Sequence, residues 1–211
     1  GSMVNDEVFA GSLTVNIGAN EQGKRTDLAS AVETMRSTKS LKALAEQHPT
    51  TYVKYHRGFE ALWTEICSQS RDRSQGVGVC VLWGPTGTGK TKRAYDLASD
   101  LQGLLGKQYY VKPSYNMWWD GYRGEPVVII DEYTGQWPIA YLLLVLDRYP
   151  MKLEVKGGTV NLAATTFLIT SNVPPAEWYI NASLEQKAAL ERRITQNLNV
   201  TSLEEEYHIE V

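Results

Sequence analysis

Eight consecutive residues, Gly84-Pro85-Thr86-Gly87-Thr88-Gly89-Lys90-Thr91, set four free positions between a glycine and Gly-Lys-Thr. That spacing is the phosphate-binding loop, or Walker A, pattern, and it carries a mechanism. Glycines let backbone N–H groups turn inward on a polyphosphate, and a helix starting at the loop aims its positive dipole end at the same place. Lys90 supplies a cation for the outer phosphates, and the Thr91 hydroxyl can ligate Mg²⁺. A second group follows downstream. Val127-Val128-Ile129-Ile130 runs into Asp131-Glu132, so a buried strand delivers two carboxylates at its C-terminal edge, the Walker B arrangement. A triphosphate hydrolase needs a phosphate cradle, a metal site, a group that orients water and a positive charge near the transferring phosphoryl. Asp131 with Thr91 is the expected metal pair. Glu132 is the expected water-orienting group, Asn172 a hydrogen-bonding partner for that water or the γ-phosphate, and Arg192 or Arg193 the stabilising cation, from the same chain or an adjacent subunit. The guanine-reading Asn-Lys-x-Asp signature does not occur in the sequence, so ATP is the expected nucleotide.

These groups require elements to hold them. Val77–Trp83 reads as a buried strand before the loop, and Ala94, Leu97, Ala98, Leu101 and Leu104 recur at helical spacing after it. Gln108–Val111 is a candidate short strand, Trp137–Tyr149 a helix, and Thr166–Asn172 another apolar strand closed by Pro174-Pro175. Ser183 with Gln186 forms a capping box for a helix ending in Arg192-Arg193. Leu153–Leu162 reads as a hairpin turning at Gly157-Gly158, with Val155 facing Val160 and Leu153 facing Leu162. Its tip carries Lys156, and a flexible Lys156-Gly157-Gly158 tip suits contact with a sugar-phosphate backbone. An edge hairpin with a solubilising lysine is the plainer alternative. Trp118-Trp119 could stack on nucleobases, but aromatic pairs more often wedge a loop onto the core.

Upstream, three short helical patterns fall on either side of Pro49. Leu28, Val32 and Met35 follow a candidate Thr26 cap, Leu41 and Leu44 follow Ser40, and Tyr52, Tyr55, Phe59, Leu62 and Ile66 continue to about Gln69. The expected organisation is a lead-in at 1–23, a helical unit at 24–70, an ATPase domain at 77–200 and an acidic tail at 201–211. The polar run Ser68–Gly76 would be the linker. Gly1-Ser2-Met3 reads as the remnant of a cleaved tag, and the chain as a piece of a longer protein.

Composition narrows the class. The chain has 211 residues, 43% hydrophobic and 21% charged, ordinary values for a globular protein, with a net charge of −3. A nucleic-acid site must therefore be local. The two cysteines, Cys67 and Cys80, make neither a disulfide framework nor a zinc motif. No apolar run reaches membrane-spanning length, and no signal peptide is visible, so no membrane partner and an intracellular setting are expected.

The order of these pieces resembles superfamily 3 helicases. More closely, Trp118–Tyr122, Asp147-Arg148-Tyr149-Pro150, Lys156–Val160 and Ala189–Thr195 resemble the replication-associated proteins of circoviruses and related circular single-stranded DNA viruses. Gly23–Leu28 and Glu46–Thr50 resemble the segment between their nuclease and helicase domains. The resemblance implies an α/β P-loop NTPase of AAA+ type, preceded by a small helical oligomerisation domain. It implies a hexameric ring in the host nucleus, moving single-stranded DNA with 3′-to-5′ polarity on ATP and Mg²⁺. It also implies an arginine finger near Arg192-Arg193, acting across the subunit interface. Two departures bear on function. The only histidines are His48, His56 and His208, so the family's His-x-His nicking motif is lacking and unwinding without nicking is expected. Glu132 stands where many relatives have a second Asp. The competing readings are an oligomeric single-stranded DNA-binding scaffold in which ATP controls assembly, and a monomeric phosphoryl-transfer enzyme.

Overall fold

The computed structural model describes residues 26–66 and 69–201. The lead-in at 1–23, Cys67, Ser68 and the tail after Thr201 lie outside the described residues.

The helical patterns become α1 (Thr26–Thr38), α2 (Leu41–Gln47) and α3 (Pro49–Ile66). Ser40 caps α2 by accepting from the Ala43 N–H at 3.1 Å, while Thr26 already belongs to α1 instead of preceding it. Ala31, Met35, Leu41, Leu44, Phe59 and Trp63 close into a core of their own. An Arg123–Glu60 ion pair at 2.9 Å joins this unit to the rest of the molecule.

The remainder is a mixed α/β domain. β1 (Gly78–Trp83), β2 (Tyr109–Lys112), β3 (Val127–Ile130), β6 (Thr166–Ser171) and β7 (Gln196–Asn199) form one sheet, all pairs parallel, in the order β2-β3-β6-β1-β7. Strands covered on both faces read as unbroken apolar runs, which is why β1, β3 and β6 are legible in the sequence. Alternate residues serve opposite faces. Cys80, Leu82, Val127, Ile129 and Leu168 pack on Ala94, Ala98 and Leu101 of α4 (Lys90–Leu105). Val79, Val81, Val128, Ile130, Phe167 and Ile169 pack on the other face against α5 (Ile139–Val145), Leu190 of α6 (Leu184–Arg193) and Trp119 and Trp137. Burial pushes the Cys80 thiol up to about 12, consistent with a core role.

Several expectations need correction. Leu104 is 82% exposed and is not part of the apolar face of α4. The helix expected over Trp137–Tyr149 is confined to α5, with Pro138 at its N-cap and the chain turning after Leu146. Arg71, in the stretch read as a linker, is buried. It donates to the carbonyls of Ala164, Val145 and Asp147, and burial lowers its guanidinium to about 10. That segment is clamped to the domain, because a buried guanidinium must find acceptors. β7 has no counterpart among the expected strands: Gln-Asn-Leu-Asn at a sheet edge has no apolar run to announce it.

The hairpin consists of β4 (Lys152–Val155) and β5 (Gly158–Asn161), outside the main sheet. Its register pairs Val155 with Gly158 and Leu153 with Val160. The turn is therefore Lys156-Gly157, one residue earlier than the glycine pair implied. Gly157 carries the positive φ of +91° that a side chain would resist, and this register points Leu153 and Val160 together into the core.

Candidate functional site

β1 ends in the phosphate loop and α4 begins at its far end, as the spacing required. Gly84 cannot be replaced without rearrangement. A Cβ there would lie 2.4 Å from the Val200 carbonyl, while its N–H donates to the Ser171 carbonyl at 3.1 Å. This ties the loop to both flanking strands. The Lys90 ammonium donates to the Pro85 carbonyl at 2.6 Å, and Thr88 Oγ1 donates to the same oxygen at 3.0 Å. Burial pushes the Lys90 amine below its ordinary value, and the nearby charges of Asp131 and Glu132 oppose that shift.

β3 stops at Ile130 and hands over Asp131 and Glu132. Thr91 Oγ1 donates to Asp131 Oδ1 at 2.9 Å. A hydroxyl and a carboxylate at this distance are hard oxygen donors of the kind Mg²⁺ takes, so the pair fits such an ion. Glu132 adopts φ +53°, a left-handed conformation uncommon for a residue with a side chain. Strain of this kind clusters at functional sites. Gln136 Nε2 donates to the Glu132 carbonyl at 2.9 Å.

Asn172 follows β6, between the other two strand ends. Buried Ser171 holds the turn: its hydroxyl donates to the Val173 carbonyl at 2.7 Å and accepts from Trp178 Nε1 at 3.0 Å. Gly87, Gly89, Lys90, Thr91, Glu132 and Asn172 then line one cleft of about 290 Å³, with Thr86, Thr170 and Ser171. Two larger cavities, about 390 Å³ beside α6 and about 630 Å³ beside the helical unit, share none of these residues. Thr170 is a site residue whose role the sequence does not single out. Its buried, apolar-flanked setting reads as strand, and nothing in the spacing distinguishes a hydroxyl aimed at a carboxylate.

Neither arginine lines the cleft of its own chain. Arg193 is engaged: Nε donates to the Leu143 carbonyl at 3.1 Å, Nη1 to the Ala189 carbonyl at 2.9 Å and Nη2 to Asp147 Oδ2 at 2.5 Å. Burial pushes the Asp147 carboxyl up, but the Arg148 N–H and the Arg193 guanidinium outweigh it and hold the group below its ordinary value. Arg192, the residue before it, is exposed and makes no hydrogen bond or ion pair among the described residues.

Lys156 projects from the hairpin tip with its side chain 79% exposed. Its backbone N–H donates to Asp120 Oδ1 at 2.7 Å, and its ammonium lies 3.6 Å from Asp120 Oδ2. Trp119 N–H donates to the Glu154 carbonyl at 2.9 Å, docking the 116–121 loop on β4. The two tryptophans separate. Trp119 is fully buried, with its indole N–H on the Tyr141 hydroxyl at 2.8 Å, whereas Trp118 is 44% exposed. Beneath the loop, buried Lys112 donates to the carbonyls of Pro113 and Asn116 and lies 5.0 Å from the centre of the Trp137 ring. Burial lowers this ammonium to about 8, against the pull of Asp120.

Residues 80–173 match the RNA helicase family. The replication-associated protein of Porcine circovirus 2 is 43% identical over 186 residues, covering 88% of this chain, and that of Goose circovirus is 37% identical over 182 residues, covering 86%. That of Beak and feather disease virus is 36% identical over 167 residues, 79% of this chain. The chain spans 57%, 58% and 53% of the length of these three relatives. A phosphate loop, an acidic strand end and a third polar strand end converging on one cleft are the kind of groups that phosphoryl transfer uses. On that geometry and this kinship, the chain is a homologue of the circovirus replication-associated proteins and carries a helicase-family domain.

Proposed function

We propose that the chain is an ATP-dependent DNA helicase or translocase domain of a viral replication initiator, of AAA+ type within superfamily 3, working as a homo-oligomeric, hexameric ring. The observation that carries this reading is the meeting of Lys90, Thr91, Glu132 and Asn172 at one cleft, with Asp131 against Thr91. The strand order supports it, since β6 lies between β1 and β3 and carries Asn172 between the phosphate loop and the acids.

In this mechanism the loop amides and Lys90 hold the β- and γ-phosphates. Thr91 and Asp131 would hold Mg²⁺, which would supply charge neutralisation at the phosphate oxygens. Glu132 orients the attacking water and accepts its proton, and Asn172 hydrogen-bonds the water or the γ-phosphate. The positive charge still lacking comes from Arg192 of a neighbouring copy. Arg193 is committed to Asp147, whereas Arg192 is exposed. An arginine supplied in this way can raise turnover by roughly 10³-fold or more. Hydrolysis at the seams would move the Lys156 tips along single-stranded DNA, phosphate by phosphate and without base recognition. Half-exposed Trp118 is available to stack on a base.

The deciding experiment measures ATP turnover with Mg²⁺ against protein concentration, with and without a single-stranded oligonucleotide. Turnover per chain should rise with assembly and with DNA, and 3′-tailed duplexes should be unwound. A rate that is the same for dilute and concentrated protein would overturn the shared-site mechanism.

A further inference from the structure

Thr170 is the penultimate residue of β6 and is 1% exposed. A hydroxyl so deeply buried has to be satisfied by the protein itself. Here it is satisfied by the two acidic residues that follow β3, of which Glu132 lines the cleft. Oγ1 donates to Asp131 Oδ1 at 2.5 Å and accepts from the Glu132 N–H at 2.9 Å. The direction of each bond follows from chemistry: an ionised carboxylate only accepts, and an amide N–H only donates. The same residue's carbonyl accepts from the Tyr133 N–H at 2.8 Å. Three consecutive residues, 131 to 133, are thus bonded to Thr170.

Two consequences follow for the acids. Asp131 Oδ1 takes hydroxyls from both Thr91 and Thr170, which sets the rotation of the carboxylate and leaves Oδ2 without a partner among the described residues. The left-handed backbone at Glu132, with φ +53°, is unfavourable on its own. The Thr170 hydroxyl holds its N–H side, and Gln136 holds its carbonyl side. Because that backbone conformation sets where the Glu132 side chain leaves the chain, the hydroxyl on the neighbouring strand governs where the carboxylate points. β-Branching restricts the rotation of the Thr170 side chain itself.

We infer that Thr170 is a positioning residue for hydrolysis, fixing the Asp131 carboxylate and the left-handed turn at Glu132 through one buried hydroxyl. This rests on the proposed role of Glu132 in handling water.

The test compares Thr170→Val, which keeps shape and loses the hydroxyl, with Thr170→Ser, which keeps the hydroxyl. Thr170→Ala replaces the valine variant should that one fail to fold. The first readout needs neither nucleotide nor metal: amide hydrogen exchange at Glu132 should accelerate by about tenfold or more in Thr170→Val, the effect of losing one such bond. It should stay near wild type in Thr170→Ser. With Mg²⁺ and ATP, kcat should fall about 10- to 100-fold in Thr170→Val, the scale set by misplacing a catalytic group. Affinity for a fluorescent ATP analogue should change less than about threefold, because the phosphate loop is untouched. Unchanged exchange at Glu132 in Thr170→Val overturns the inference, as does a serine variant as slow as the valine one. So does a loss that appears in nucleotide affinity instead of kcat. A wild type that does not hydrolyse ATP counts against the proposed function, and the exchange measurement still decides the role of Thr170 in holding the turn.

Discussion

At the cleft, polar side chains arrive from the ends of three adjacent parallel strands, β3, β6 and β1. At the hairpin tip a single lysine rides on a two-stranded ribbon outside the sheet, held there by the 116–121 loop. In the first region, each group lies within a few residues of a fully buried strand or the helix that follows it, so the sheet's register places it. In the second, placement depends on aromatic packing: Trp119 stacks on Tyr110 and meets Tyr122 edge-on and Trp137 at a tilt, and the ribbon leans on this group. The cleft should therefore lose chemistry when a polar group is removed and keep its shape. The hairpin should lose shape when an aromatic is removed, and change little when its charge is.

The sharpest break of this contrast is Lys90→Ala. ATP turnover should fall by at least about 10²- to 10³-fold, the scale for deleting one stabilising donor, while the melting temperature stays within a few degrees. A variant that hydrolyses normally would exclude the cleft as the place where ATP is cleaved. Arg192→Ala should have an effect of the same order, lowering turnover of the assembled form by roughly 10³-fold and leaving the melting curve of the isolated chain unchanged.

Trp119→Ala should behave in the opposite sense. Removing a fully buried indole costs about 3–5 kcal/mol, read from denaturant unfolding, and the ribbon should lose its seat before the cleft loses nucleotide binding. Arg193→Ala belongs with this class despite its position beside Arg192. It should destabilise by about 2 kcal/mol, the range for hydrogen bonds to a charged group. Its effect should depend on pH. The Asp147 carboxyl sits below its ordinary value in the folded chain, so its stabilising contribution is complete above the unfolded aspartate value of about 4. That contribution is lost as pH falls through the lower, folded value. Urea unfolding of wild type and Asp147→Asn should differ by a constant amount near neutrality and converge in acid.

The smallest effect is expected at Lys156→Ala. The ion pair with Asp120 is exposed, and such pairs are worth about 0–1 kcal/mol, so stability should barely change. Affinity for single-stranded DNA should fall only modestly, and the dependence of log affinity on log salt should flatten by roughly 0.7 for each phosphate that a protomer no longer neutralises. A collapse of folding in this variant would mean that the lysine, not the aromatic platform, holds the tip.

Some features are legible because local sequence and structure share a cause. The phosphate loop is a covalent pattern, the capping box of α6 is four residues long, and both formed as their spacing predicts. The apolar runs of β1, β3 and β6 follow from burial on both faces. The hairpin is visible but its register is not, because two adjacent glycines allow neighbouring turns and only the packing of Leu153 and Val160 chooses between them. The Trp118-Trp119 pair is ambiguous for a similar reason, since two adjacent indoles carry the same local signal and only the packing of the core selects Trp119.

By itself, then, the amino-acid order determined that a glycine-rich loop runs from a strand into a helix and that a second strand ends in two acids, because those facts reside in short contiguous stretches. Only the tertiary structure separated Arg192 from its neighbour, buried Arg71 in a stretch read as a linker, and joined Thr170 to both acids. Those outcomes rest on partners tens of residues away in the chain, and a polar side chain carries no local mark of the acceptor it will find.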